Sequence, residues 1–132
     1  GEVIMSFSVL IGKVIRNIER VGDDQLYFNC TDGSRYQMYH SQDCCELVEI
    51  EDVAGVPLDE IVNATVLTAD ESTNRTDPKV DDYDESWTWT FYRLTTNLGT
   101  TVIRWYGASN GYYSESVDFE LTKVADGTTG PI

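Results

Sequence analysis

The chain has 132 residues, 41% hydrophobic and 11% aromatic, enough for one domain with a real core. Nine Lys and Arg face 23 Asp and Glu, a formal net charge of −14. That balance excludes direct binding to nucleic acid or to an anionic membrane, because both need clustered cations. It fits solubility, a basic protein partner, or mimicry of nucleic acid toward a protein that binds it.

No run is long enough to cross a membrane. The opening apolar run has no basic region before it, so no secretory signal is expected. The cysteines Cys30, Cys44 and Cys45 are odd in number and sparse, which argues against a disulfide scaffold. The expectation is a cytoplasmic protein with reduced thiols. In that setting the Asn-x-Ser/Thr triplets at Asn29, Asn63 and Asn74 carry no meaning.

In chain order, residues 1–8 are expected to fray. VLIGKVIRNIERV reads as the first strand material, and Gly22-Asp23-Asp24 turns the chain. QLYFNC follows as a strand, then the Asp32-Gly33 turn, then RYQMYH, with Tyr36, Met38 and His40 alternating against Arg35, Gln37 and Tyr39. CELVEIEDV alternates again, with Glu46, Val48 and Ile50 on one side and Cys45, Leu47 and Glu49 on the other. PLDEIVN, with Pro57 at its first turn, predicts one short helix. ATVLTADES is a strand, and 72–86 is a long acidic loop without apolar periodicity. WTWTFYRLTT, TTVIRWYGA and GYYSESVDFELTKV read as three consecutive strands joined at Asn97-Leu98-Gly99 and Asn110-Gly111. The tail 125–132 is expected to fray. The fold class is mainly β: a single antiparallel sheet-rich domain over 1–132, a meander, sandwich or partly open barrel, with at most one short helix.

Two-residue loops at Leu98-Gly99 and Asn110-Gly111 would set Arg93 opposite Arg104, Phe91 opposite Tyr106, Tyr106 opposite Glu115 and Val102 opposite Phe119. Trp89, Phe91, Arg93, Val102, Arg104, Tyr106 and Glu115 would then share one face, with Tyr92, Leu94, Ile103 and Trp105 on the other. Facing arginines repel. Glu115, the acidic loop or a bound anion would have to neutralise them. Arginine forks and aromatic faces together suit a small nucleotide. The candidate ligand-binding residues are therefore Arg93, Arg104, Trp89, Phe91 and Tyr106, with Asn110 and Tyr112 from the SNGYY turn. The alternative is that the arginines bridge to carboxylates and the rings are core.

YHSQDCCE holds every common zinc-ligand type, in His40, Asp43, Cys44, Cys45 and Glu46. Adjacent cysteines point to opposite sides of a strand and rarely share a metal. A Cys44–His40 catalytic pair is opposed by the negative surroundings, which raise a thiol's pKa. The favoured reading is buried reduced thiols, with Asp43 bonding local amides. No metal site is expected, His40, Asp43 and Cys44 being the candidates for one, and no cofactor is expected.

YHSQDCCELVEIEDVAG, YDESWTWTFYRL and TTVIRWYGASNGYYSESVDFEL resemble a family of small phage and prophage proteins carrying a domain of unknown function. The resemblance spans residues 12–121, and its distinctive parts are the DCC and SNGYY elements. It implies a phage or bacterial source and transfers no activity. The function expected is that of a non-enzymatic phage accessory protein. It would act by binding in the host cytoplasm, in counter-defence or host takeover, and would sequester a small nucleotide signal. Two alternatives stand beside it: an acidic inhibitor or DNA mimic directed at a basic host protein, and a metal- or thiol-dependent enzyme. The expected partners are a small anionic ligand or a basic host protein, with a homodimer also open.

Overall fold

The computed structural model describes residues 3–126. Among these residues the chain is mainly β. Its strands are β1 (Val3–Ile4), β2 (Val14–Val21), β3 (Gln25–Cys30), β4 (Arg35–Tyr39), β5 (Leu47–Gly55), β6 (Ala64–Asn74), β7 (Ser86–Thr96), β8 (Gly99–Ser109) and β9 (Asp118–Lys123). The helical segments described are two 3-10 turns, Phe7–Leu10 and Leu58–Glu60. The second stands where one short helix was predicted.

The strands are ordered β1-β9-β4-β3-β2-β6-β7-β8-β5, and every neighbouring pair is antiparallel. Two halves meet where β2 pairs β6, over only Val14↔Thr65 and Ile15↔Ala64. The ladder shifts register at Arg16 in β2, Glu51 in β5 and Leu67 in β6. One extra residue on a strand bends it and increases its twist. The sheet thus folds over on itself, and one core forms between its halves. Phe7, Leu26, Phe28, Tyr36, Met38 and Phe119 from the first half pack with Val48, Ile50, Tyr92, Leu94, Ile103 and Trp105 from the second.

Phe7 sits at the centre of that core. Its ring makes edge contacts with Phe28 at 5.8 Å, Tyr92 at 5.0 Å and Phe119 at 5.2 Å between centroids. The expected fraying of residues 1–8 is therefore corrected for residues 3–8: β1 pairs with β9, and Phe7 is fully buried. The expected fraying of residues 1–2 and 127–132 lies outside the described residues. Asp126, inside them, donates its amide to the Asp32 carbonyl at 2.6 Å.

The two C-terminal hairpins are corrected as well. The β7–β8 turn is Asn97-Leu98, since Thr96 pairs with Gly99. This moves the register by two residues. Arg93 lies opposite Val102, and Phe91 lies opposite Arg104, so the two arginines do not face each other. A shift of two keeps every side chain on its side of the sheet. Trp89, Phe91, Arg93, Val102, Arg104 and Tyr106 still share one face, as expected. The second hairpin does not form. After Asn110-Gly111 the chain runs irregularly through 111–117 and then enters β9, which pairs with β4 and β1 rather than β8. Glu115 is not opposite Tyr106, and Phe119 leaves Val102 for the main core.

The end of β5 requires glycine outright. Gly55 has φ +89°, and a Cβ there would come within 2.1 Å of the Thr100 carbonyl oxygen. Gly55→Ala is expected to lower stability by at least about 1–3 kcal/mol, the usual cost of one strained backbone position. Chemical denaturation should show this as a lower midpoint with an unchanged slope.

Candidate functional site

Three connections gather at one end of the sheet: 40–46 between β4 and β5, 75–85 between β6 and β7, and 110–117 between β8 and β9. Each is tied down by buried or half-buried polar groups.

The 40–46 segment is organised by Glu46. Inward alternation of Glu46, Val48 and Ile50 places this carboxylate in the protein, where only 4% of the residue is exposed. Its oxygens accept from His40 Nε2 at 2.7 Å and from the amides of Asp43 and Cys44, each at 2.9 Å. His40 Nδ1 lies 2.6 Å from the Ser116 carbonyl, which can only accept, so that nitrogen carries a proton. His40 thereby joins the first loop to the third. Gln42 Nε2 adds a bond to the Glu46 carbonyl at 2.7 Å. The carboxylate collecting local amides is thus Glu46, where Asp43 was expected.

Cys44 and Cys45 form a disulfide with each other, and both residues are exposed. The expectation of buried reduced thiols is corrected for this pair. The broader expectation of a reduced thiol holds for Cys30, which is free and also buried, with its thiol pushed upward by that burial. Of the metal and enzyme candidates, His40 has both ring nitrogens engaged and Cys44 has its sulfur bonded to Cys45. No group of three or more potential ligands is close enough to hold a metal ion among the described residues.

Burial alone would raise the Glu46 carboxyl. The bonds from His40 and from the Cys44 and Asp43 amides outweigh it and hold the group at about 2. Asp32 follows the same pattern: burial is outweighed by Lys13 and Ser34, leaving it at about 2. Both carboxylates therefore bind protons less readily folded than unfolded. Their contribution is complete above the ordinary carboxylate range and is lost as pH falls toward 2. Thermal melts should show a plateau at higher pH and a decline from about 4.5 to about 2. Glu46→Gln and Asp32→Asn should each flatten part of that decline.

The 75–85 segment lies across the aromatic face. Trp89 and Tyr106 meet edge to face, with centroids 4.8 Å apart. The Trp89 indole N–H donates to the Pro78 carbonyl at 3.0 Å, and the Trp87 indole N–H to the Asp77 carbonyl at 2.8 Å. Tyr106 donates its hydroxyl to Asp84 at 2.5 Å and accepts from the Val80 amide at 3.0 Å. Burial, with help from Asp84, pushes the Tyr106 phenol up to about 12.

The sequence-derived candidates divide accordingly. Arg104 stacks over Trp89, with its guanidinium carbon 4.9 Å from the ring centroid, and its Nε lies 3.0 Å from Asp52. Phe91, half-buried, is 6.0 Å from the same guanidinium. Arg93 is exposed and sits opposite Asp70 of β6. Trp89 and Tyr106 are buried beneath the loop. Asn110 is exposed and caps the turn by accepting from the Tyr112 amide at 3.0 Å. Tyr112 projects outward, 88% exposed, and Tyr83 on the acidic loop is 91% exposed. Of the groups offered to neutralise the arginines, Glu115 is engaged elsewhere. It accepts from Thr88 at 2.8 Å and from Ser109 at 2.5 Å, fixing the third loop to β7 and β8.

Two features escaped the sequence reading. A cavity of about 260 Å³ is lined by Cys45, Leu47, Tyr83, Asp84, Asn110 and Tyr113. It brings together the two distinctive sequence elements and the acidic loop, which no local pattern connects. A larger cleft of about 460 Å³ lies between β6–β7 and the 111–117 segment. Its signal was present in WTWTF: the alternation that sends Trp89 and Phe91 to one face sends Thr88 and Thr90 inward.

Among the described residues no helix is long and apolar enough to cross a membrane. No curated protein and no solved structure matches the chain. One family matches residues 8–119 and so spans most of the sequence. The chain therefore belongs to that family, DUF7448, described as a domain of unknown function.

Proposed function

We propose that this domain acts by binding a basic protein through its loop end. The observation that carries the reading is the pair of almost fully exposed tyrosines, Tyr83 and Tyr112, at 91% and 88%. They stand on separate loops of that end, with exposed Leu47 and the Cys44–Cys45 disulfide close by. Tyrosine supplies large, rigid contact area and is enriched at protein interfaces. Asp77, Asp81, Asp82, Asp84 and Glu85 surround it with negative charge. Such a rim steers a positively charged partner and suppresses acidic ones. The resemblance to phage and prophage proteins suggests a host protein in the bacterial cytoplasm, blocked or redirected in counter-defence or host takeover.

The immobilised protein should capture a basic chain from bacterial lysate. Once purified, that chain should bind at least tenfold more weakly when salt is raised from about 0.05 M to about 0.5 M. Replacing Tyr83 and Tyr112 together by Ala should abolish capture without changing the melting temperature. Binding that ignores salt, or survives the double substitution, would overturn this reading.

A second reading, a small anionic nucleotide held by Arg93 and Arg104, draws on the stacking of Arg104 over Trp89. It requires the 75–85 segment to leave Trp89 and Tyr106. Titration with nucleotides checks it: Arg93→Ala and Arg104→Ala must each weaken binding.

A further inference from the structure

The cleft between β6–β7 and the 111–117 segment is a separate place, on the inner side of the sheet. Along β7 the inward positions run Leu94, Tyr92, Thr90, Thr88. The first two belong to the apolar core, and the next two leave it. On β6, Thr73 lies beside Thr90 and Glu71 beside Tyr92. The inner face thus changes from apolar to hydroxyl-bearing within one strand. Thr90 is buried and Thr88 half-buried, and a hydroxyl is costly to bury without a partner, so a strand built only for core would carry apolar side chains there; Glu71 and Thr73 are exposed at the mouth.

The 111–117 segment meets this surface at Thr88, through Glu115, and at Tyr92. Its Tyr92 anchor is a hydroxyl donating to the Val117 carbonyl at 3.3 Å. On the other side it packs onto Gly107 of β8, where a Cβ would lie 2.6 Å from the Glu115 carbonyl oxygen. The close approach over β8 leaves the cleft open over β6 and β7, at about 460 Å³. That volume is within the range of small-molecule sites, about 300–1,000 Å³.

We infer that this cleft binds a neutral polyhydroxylated ligand of the saccharide type. Thr73 and Thr90 can each donate and accept, while Thr88, whose hydroxyl hydrogen goes to Glu115, can accept. Glu71, which takes the Phe7 amide on one oxygen, and Glu115 accept from ligand hydroxyls through their remaining lone pairs. Tyr113 at the rim offers a ring face for the apolar side of a sugar. Two carboxylates against the single guanidinium of Arg75 disfavour phosphate or sulfate esters.

The test is ligand-observed saturation-transfer NMR on the full chain, with a panel of neutral mono- and disaccharides and the phosphate esters of the same sugars. At least one neutral saccharide should bind in the millimolar range or tighter, and its phosphate ester at least tenfold more weakly. Thr73 is exposed, so Thr73→Phe can fill the cleft mouth with an unchanged melt. It should abolish the signal, whereas the Tyr83 and Tyr112 double substitution should leave it intact. Silence from every neutral saccharide, equal or tighter binding of the ester, or persistence of the signal in Thr73→Phe would overturn the inference.

Discussion

Trp105→Ala is expected to destabilise the domain by about 3–5 kcal/mol, the usual cost of deleting a buried large aromatic side chain. Trp105 is fully buried, on β8 in the second half of the sheet. Its indole N–H reaches the Met38 sulfur of β4, in the first half, at 3.2 Å. The ladder between the halves has two residue pairs, with a few further backbone bonds such as the Ile50 amide to the Asp23 carbonyl at 2.6 Å, so side-chain packing across the core carries much of their joining. A domain of this size is usually stable by about 5–15 kcal/mol, and this loss would bring it near the folding threshold. Trp105→Phe keeps most of the apolar area and removes the N–H contact. It should cost clearly less than the alanine variant. Urea melts of both variants measure the difference. Equal losses would mean that the N–H contact, rather than packing, joins the halves.

His40→Ala should have the next largest effect, comparable to losing a core side chain, although His40 lies at the loop end. Its side chain is 3% exposed and that of Glu46 is 0% exposed. Removing the imidazole leaves a buried carboxylate with one partner fewer and strips the Ser116 carbonyl of its donor. A buried charge that loses its partner costs more than the pair contributes while intact. The 40–46 and 110–117 segments would then separate, exposing the Cys44–Cys45 disulfide further to reductant. Two measurements check this: the melting temperature, and the rate at which a dithiol reduces the disulfide, which should rise. His40→Gln can still reach one of the two acceptors and should recover part of the loss. If His40→Ala melts like the parent and is reduced at the same rate, the imidazole does not hold these loops together.

The β class, the strand alternation and the turn chemistry were legible in the residues, because they rest on period-two patterning and on glycine and proline stereochemistry, which act locally. The face shared by Trp89, Phe91, Arg93, Arg104 and Tyr106 was legible for the same reason, and survived a turn misplaced by one residue. The inward position of Glu46 with Val48 and Ile50 was likewise written in the alternation. Partner choice was not. Asn110-Gly111 is strong hairpin chemistry, yet β9 leaves β8 for β4, because Phe119 gains more by joining Phe7, Phe28 and Tyr36 in the main core. The role of Glu46 depended on a histidine six positions earlier, whose other nitrogen bonds a carbonyl seventy-six positions away. The open threonine cleft depended on how closely a distant segment could approach Gly107. By itself the sequence determined most of the residues that extend and which side each of those faces, although 112–117 were expected to extend and do not. Only the tertiary structure decided which strands became neighbours and which polar groups met, because those choices compare burial and hydrogen bonding over the whole chain.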